Sequence, residues 1–133
     1  MVQLLGRRRG RVLVVDEEDE DDLEIGGRVL WRILRREHDI IAHRPRSALA
    51  NLLGGERYDA IVCEMLMPTM CGAEILKELL YHCPAQAARM VFVAEGLSQA
   101  THHVFLHNVT RPCLRRPFSK EAVRMVVQKV VET

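Results

Sequence analysis

The chain has 133 residues, which suits a single domain, and 48% of them are hydrophobic, enough to form a core. Its 19 Lys and Arg residues nearly balance its 18 Asp and Glu residues, so the overall charge favours neither nucleic acid nor a membrane surface as partner. No apolar run reaches the length of a membrane span, and we expect no signal peptide.

The four cysteines, at positions 63, 71, 83 and 113, are too scattered for a zinc site or a CxxC pair. Cys63 and Cys113 lie in apolar runs and are expected to be buried thiols. Free thiols are typical of a reducing compartment, so the sequence predicts a cytoplasmic protein.

Strands and helices alternate along the sequence. Residues 1–9, which end in three arginines, are predicted to be a disordered basic tail, and residues 10–133 a folded domain. In chain order, the hydrophobic pattern predicts a strand at 11–15, a helix at 23–37, a strand at 39–43, a helix at 47–53, a strand at 60–63 ending at Glu64, a helix at 72–83, a strand at 89–94, a helix at 98–108, a strand at 112–115 and a helix at 121–131. This alternation, with continuously apolar strands, is typical of an α/β fold with a parallel sheet covered on both faces. Trp31 and Tyr81 lie on predicted helices and are expected to be packing residues.

Charged side chains follow the predicted strands where each strand ends. Asp16 and Glu17 follow the first strand, Glu64 ends the third, and Arg115 and Arg116 close the fifth. Since the carboxyl ends of parallel strands meet at one edge of a sheet, these groups should converge there. Three carboxylates raise one another's pKa unless a cation lies among them, and that cation is either a metal or an arginine. The simpler interpretation is a solvated, charged sheet edge.

Four stretches allow a comparison with a known family: VLVVDEE at 12–18, YDAIVCEMLMPTMCG at 58–72, MVFVAEG at 90–96 and RRPFS at 115–119. Over about residues 10–132 the chain resembles the receiver domain of bacterial two-component response regulators. The resemblance implies a doubly wound, flavodoxin-like sheet of five parallel strands in the order 2-1-3-4-5. It also implies Mg²⁺ on the acid pair Asp16 and Glu17, a phosphoryl-accepting Asp at the end of the third strand, and a cis peptide bond before Pro117.

The sequence departs from the family pattern at four positions. Glu64 replaces the phosphoacceptor Asp, Ala94 replaces a Thr or Ser, Arg116 replaces a Lys, and Cys113 replaces an aromatic residue. The extra methylene of Glu64 moves its carboxylate by about 1.5 Å, and a misplacement of about 1 Å can cost on the order of 10²-fold in rate. Ala94 lacks the hydroxyl that would bind a phosphoryl oxygen, and Cys113 lacks the ring that this hydroxyl would move.

These departures predict a non-enzymatic pseudo-receiver that acts by protein–protein interaction without phosphorylation. Two interpretations of Glu64 then stay open. It is either a permanent partner of Arg116, whose planar guanidinium favours carboxylates, or a substitution without a role in a site that is no longer used. The alternative function is a Mg²⁺-dependent phosphoacceptor domain of a response regulator or hybrid histidine kinase, with the metal on Asp16, Glu17 and Glu64. We expect no resident cofactor, and weak Mg²⁺ binding at most.

The resemblance also implies the kind of partner. Receivers bind a histidine kinase or an output protein through the surface formed by their fourth helix, fifth strand and fifth helix. Here these elements correspond to the segments predicted at 98–108, 112–115 and 121–131. A homodimer is an open alternative.

Overall fold

Five parallel strands form a single sheet in the computed structural model, which describes residues 7–17, 27–95 and 111–133. The strands are β1 (Arg11–Val15), β2 (Asp39–His43), β3 (Ala60–Glu64), β4 (Met90–Ala94) and β5 (Cys113–Arg115). Their order is β2-β1-β3-β4-β5, and every neighbouring pair is parallel. This confirms the predicted flavodoxin-like topology.

The described helices are α1 (Gly27–Leu34), α2 (Pro45–Leu53), α3 (Gly72–His82), α4 (Pro84–Ala87) and α5 (Lys120–Val131). The second helix begins two residues before its predicted start, because the fixed φ of Pro45 suits a first helical turn. The short helix α4 was not predicted. The helix predicted at 98–108 lies outside the described residues, as do residues 23–26 of the first predicted helix.

The sheet is buried on both faces, as its continuously apolar strands predicted. On one face, Ile61 and Cys63 of β3 belong to a cluster with apolar residues of α2 and α3. On the other face, Ala60 and Val62 belong to a cluster with apolar residues of α1 and α5. Side chains alternate between the two faces along each strand, so one strand contributes to both clusters. None of the described helices is long and apolar enough to cross a membrane.

Several predicted packing residues are more exposed than expected. Tyr81 is 82% exposed and Trp31 is 41% exposed, so the expectation that they pack in the interior was wrong for Tyr81 and only partly right for Trp31. The Trp31 ring instead lies 4.9 Å from the guanidinium carbon of Arg35. Cys63 is fully buried, as predicted, whereas Cys113 is only partly buried.

Part of the predicted basic tail, residues 7–9, is described, and it contacts the domain. Arg8 donates to the carboxylate of Asp59 at 2.7 Å. Arg9 donates to Asp39 at 3.0 Å and to the carbonyl of Arg36, just beyond the end of α1, at 2.9 Å. The arginines therefore attach the start of β1 to neighbouring elements at the amino-terminal edge of the sheet.

Candidate functional site

The candidate site lies at the carboxyl edge of the sheet, where the register of the strands brings charged residues together. Val15 of β1 pairs with Cys63 of β3, so the residues that follow them, Asp16 and Glu64, come to the same edge. In the same way Glu64 pairs with Val93, one residue before the end of β4. The edge predicted from the sequence is therefore formed.

Arg116 forms a bidentate ion pair with Glu64 through both terminal nitrogens of its guanidinium. Its Nη2 donates to Oε1 at 2.5 Å and its Nη1 to Oε2 at 3.1 Å. Nη1 also donates to Oε1 of Glu95 at 2.8 Å. The Glu64 side chain is 9% exposed and the Arg116 side chain 20%. This bidentate geometry is the strongest that a carboxylate and an arginine adopt, and it favours the ionised form of Glu64.

An aromatic ring also helps to hold Arg116. The ring centroid of Phe118 lies 5.5 Å from the guanidinium carbon, within the range of a cation–π interaction. The Arg116 N–H donates to the carbonyl of Ala94 at 2.8 Å, which extends the pairing of β4 with β5. The Arg116–Pro117 peptide bond is cis, as predicted. Backbone and side-chain contacts thus fix the arginine beside Glu64.

Burial and charge act in opposite directions on this pair. Burial raises the pKa of Glu64, the nearby carboxylates Asp16 and Glu95 raise it further, and the hydrogen bonds and charge of Arg116 oppose the rise. Burial lowers the pKa of Arg116, but its hydrogen bond to Glu64 and the charges of the same three carboxylates outweigh burial and raise it. Arg116 therefore stays charged and is the counter-ion of this edge within the described residues.

Of the charged groups expected to converge at this edge, Glu17 has partners of its own. Its carboxylate accepts the backbone N–H of Thr69 at 3.0 and 3.1 Å, and it also accepts the Thr69 hydroxyl. Asp16 accepts the N–H of Glu17 at 2.7 Å. Among the described residues, the hydrogen-bonded carboxylate partners of Arg116 are Glu64 and Glu95, and Glu17 binds Thr69 instead. Thr69 was not predicted as a site residue, because its loop position carries no periodic signal.

Hydrogen bonds within the protein compete with a divalent metal for the acids at this edge. Mg²⁺ demands near-octahedral oxygen coordination, whereas the carboxylate oxygens of Glu17 and Glu64 accept hydrogen bonds from Thr69 and Arg116. Across residues 7–17, 27–95 and 111–133, no group of three or more His, Cys, Asp or Glu side chains is placed to hold a metal ion. A metal held by Glu17 or Glu64 would have to displace these hydrogen bonds.

The other substituted positions lie where the sequence predicted. Ala94 ends β4 with no exposed surface, and its methyl group offers no hydrogen bond. Cys113 begins β5 and pairs in register with Phe92. Burial raises the pKa of the Cys113 thiol, so the neutral thiol is favoured. Neither residue supplies a hydroxyl or an aromatic ring to the edge.

Gly72 allows the next helix to start against the site. Its N–H donates to the carbonyl of Met65 at 2.8 Å. A Cβ at this position would lie 2.7 Å from the carbonyl oxygen of Glu64 and 2.8 Å from the Phe92 ring. The close approach of α3 to the end of β3 therefore requires glycine.

Comparison with known proteins gives one relative in sequence. No model of a known protein family matches the chain. The chain is 28% identical over 134 residues to the hydrogenase transcriptional regulatory protein HoxA of Bradyrhizobium diazoefficiens, covering 94% of this chain. It spans only 26% of the length of that relative.

Solved structures with the same fold cover nearly the whole chain. The receiver domain of the Francisella response regulator 1452 matches with a TM-score of 0.73 and 21% identity, over 93% of this chain and 98% of that one. The receiver domain of the Pseudomonas aeruginosa sensor histidine kinase PA1611, solved with a magnesium ion in its active site cleft, matches with a TM-score of 0.73 and 16% identity, over 95% and 100%. A response regulator receiver protein from Sinorhizobium medicae matches with a TM-score of 0.72 and 14% identity, over 95% and 97%. The chain thus has the fold of the response regulator receiver domains.

Proposed function

We propose that this chain is a non-enzymatic signalling module with a receiver fold, which acts by binding other proteins and without phosphorylation of its third-strand carboxylate. The observation that supports this most is the bidentate pair of Glu64 and Arg116. In the family that the sequence resembles, an Asp at this position accepts the phosphoryl group. In this chain both carboxylate oxygens of Glu64 already accept hydrogen bonds from Arg116.

The pairing opposes phosphoryl transfer for a physical reason. An attacking carboxylate oxygen must lie in line with the donor phosphorus, with positive charge placed to stabilise the transferring group. Glu64 would first have to leave Arg116, and breaking a buried pair costs about 3–5 kcal/mol. Ala94 then offers no hydroxyl to the incoming oxygens. The same contacts give Glu64 a structural role as the permanent partner of Arg116.

The partner proposed for this module is a protein of a two-component pathway in the cytoplasm, either a histidine kinase or an output protein. The fold shared with receiver domains and the similarity to part of HoxA support this class of partner. The surface proposed for binding comprises residues 98–108, β5 and α5. Its first segment lies outside the described residues.

Intact mass measured after incubation with Mg²⁺ and a small acyl phosphate donor tests the proposal. Wild type is expected to gain no phosphoryl group. The matched control is the triple variant E64D/A94T/R116K, which introduces the residues of the family pattern at three positions. We expect this variant to gain one phosphoryl group, because it frees the acceptor and restores the hydroxyl.

The alternative, a Mg²⁺-dependent phosphoacceptor, predicts a different result. Wild type would then gain one phosphoryl group in stoichiometric amount, and E64Q would lose that gain. This outcome would overturn the proposal. A gain that persists in E64Q would place the phosphoryl group at another residue and leave Glu64 in its structural role.

A further inference from the structure

Strand β2 forms one edge of the sheet, and within the described residues only β1 pairs with it. The N–H of Asp39 and the carbonyl of His43 form hydrogen bonds toward β1, at 2.9 and 3.2 Å. The direction of the main-chain groups alternates along a strand, so Ile40 and Ala42 direct their N–H and carbonyl groups away from β1. The edge therefore offers a row of donors and acceptors to a further strand.

The side chains of β2 leave this edge accessible. Asp39 and Ala42 are exposed, and Ile40, Ile41 and His43 are partly buried. Natural edge strands often avoid pairing through lysines, prolines or bulges, and the sequence DIIAH of β2 contains neither lysine nor proline. Its ionisable side chains lie at its two ends, and its centre is apolar.

The charge pattern of β2 is complementary to itself. Asp39 and His43 each lie two residues from Ile41, and the three side chains share one face of the strand. When a second copy of β2 pairs antiparallel about a two-fold axis at Ile41, each Asp39 lies opposite the His43 of the other copy. These are non-hydrogen-bonded positions, where opposite side chains approach most closely. Ile40 then lies opposite Ala42, and the two exchange main-chain hydrogen bonds.

Both end groups are able to take a further partner. Asp39 accepts from Arg9 through Oδ1, which leaves Oδ2 for another donor. The His43 ring makes no hydrogen bond with another described residue, and an imidazole carries an N–H donor whether neutral or protonated. Parallel pairing would bring like ends together, and a shift by one residue would turn the side chains to opposite faces. Charge complementarity thus selects a single register.

We propose that two copies of this chain associate through their β2 edges, antiparallel and in this register, so that the two sheets become continuous. Since a five-residue edge makes a small interface, a dissociation constant on the order of 10⁻⁴ M is expected. The carboxyl edge with Glu64 and Arg116 stays accessible in both copies. The proposal therefore goes beyond the proposed function and does not depend on the state of Glu64.

Sedimentation equilibrium of the whole chain with a thiol reductant, from roughly 10 µM to roughly 1 mM, brackets this constant. Wild type is expected to change from monomer to dimer across this range. H43D places two carboxylates opposite each other at both ends of the strand pair and should weaken the dimer by at least about tenfold. K77Q makes the same change in net charge on an exposed residue of α3 and should leave the dimer unchanged.

A mixture of two variants separates a lost interface from a damaged fold. D39K places a lysine opposite His43 and should also fail to pair with itself. When H43D is mixed with D39K, one end of the strand pair has the native Asp39 and His43. The other end has the introduced aspartate opposite the introduced lysine. A heterodimer about as strong as the wild-type dimer is therefore expected.

The main chain is tested by A42P, which removes an outward N–H that β1 does not use. Proline is tolerated at such edge positions, so the domain should fold while the dimer weakens by at least about tenfold. Circular dichroism verifies the fold of each variant. If A42P does not fold, the mixture of H43D and D39K decides alone.

Three results would overturn the proposal. One is a wild type that stays monomeric up to the highest concentration. Another is a dimer of unchanged strength in H43D and in folded A42P, which would place the interface on another surface. The third is the absence of a heterodimer in the mixture of folded H43D and D39K. None of these measurements involves phosphoryl transfer, so their failure is distinguishable from failure of the proposed function.

Discussion

At the scale of single residues, Glu64 and Arg116 are a matched pair. A glutamate reaches one methylene farther than an aspartate, and an arginine presents two parallel donors where a lysine has a single ammonium. Together they form two hydrogen bonds at 2.5 and 3.1 Å in a mostly buried position. Either residue alone would leave a charge without its main partner.

Replacing Arg116 with methionine should destabilise the fold. Methionine keeps an apolar stem of similar shape but leaves Glu64 buried without its counter-ion, at a cost of about 3 kcal/mol at neutral pH. Urea denaturation of R116M and wild type measures this loss. E64Q is the matched control and is expected to lose less, because Arg116 keeps its contact with Glu95.

The loss in R116M should depend on pH, with a sign that follows from the pKa of Glu64. Burial raises that pKa, and removing the opposing arginine raises it further. The folded state then binds more protons than the unfolded state, so its stability falls as pH rises above the unfolded pKa of about 4.3. The deficit of R116M relative to wild type is therefore expected to grow from about pH 4 to pH 7. A deficit that shrinks over this interval would contradict the assignment.

At the scale of elements, the junction between β3 and α3 depends on glycine at position 72. An added Cβ would meet the Glu64 carbonyl at 2.7 Å and the Phe92 ring at 2.8 Å, both in buried structure. G72A should therefore lower the free energy of unfolding by about 2 kcal/mol, as overpacking in a core does. Denaturation midpoints measure this change.

The control for G72A is G54A, at the end of α2. Gly54 has an ordinary helical φ of −76°, and an added Cβ would have its closest contact at 3.1 Å, with the Ala50 carbonyl oxygen. G54A is expected to change stability less than G72A does. An equal effect of the two substitutions would argue against a special close approach at Gly72.

At the opposite edge of the sheet, a buried hydrogen bond links the residue before β1 to the residue before β2. His38 is 1% exposed, and its Nδ1 accepts the N–H of Gly10 at 3.0 Å. Burial lowers the pKa of His38, Arg9 adds to this effect, and Glu37 and Asp59 oppose it. A protonated ring could no longer accept the Gly10 hydrogen bond.

The stability of wild type should therefore fall as pH falls below about 6.5, where the unfolded state gains a proton that the folded state resists. H38N retains a side-chain oxygen as acceptor but has no group that titrates in this range. The difference in stability between pH 7.5 and pH 5.5 is expected to be smaller in H38N than in wild type. Denaturation at both pH values measures it, and equal differences would remove His38 as the cause.

At the scale of the whole molecule, the sequence predicted the fold well because each strand carries its own signal. Runs such as RVLVV and MVFVA are buried on both faces, and only a parallel sheet covered by helices accommodates them. The strand order rested in addition on the family resemblance. The burial of Tyr81 was predicted wrongly. Helical spacing shows which side of a helix is apolar, but not how much of that side the neighbouring elements cover.

The candidate site was predictable to the extent that it depends on strand ends. Glu64 and Arg116 end or follow strands, so their convergence followed from topology. The partner of Glu17 could not be predicted, since the direction of its side chain depends on a hydrogen bond to Thr69 in a loop 52 residues away in the chain.

For the molecule as a whole, we propose that Arg116 takes the place of a metal at the acidic edge of the sheet. A site neutralised by a permanent guanidinium gains little from a divalent cation. Without that guanidinium, the negative charges of Glu64 and Asp16 repel each other without compensation. Mg²⁺ can then compensate them.

Thermal unfolding of wild type and R116M, each with and without millimolar Mg²⁺, tests this claim most directly. We predict that Mg²⁺ raises the melting temperature of R116M clearly more than that of wild type. If Mg²⁺ stabilises wild type as much as it stabilises R116M, Arg116 is not the resident cation of this edge and the metal-dependent phosphoacceptor becomes the better account.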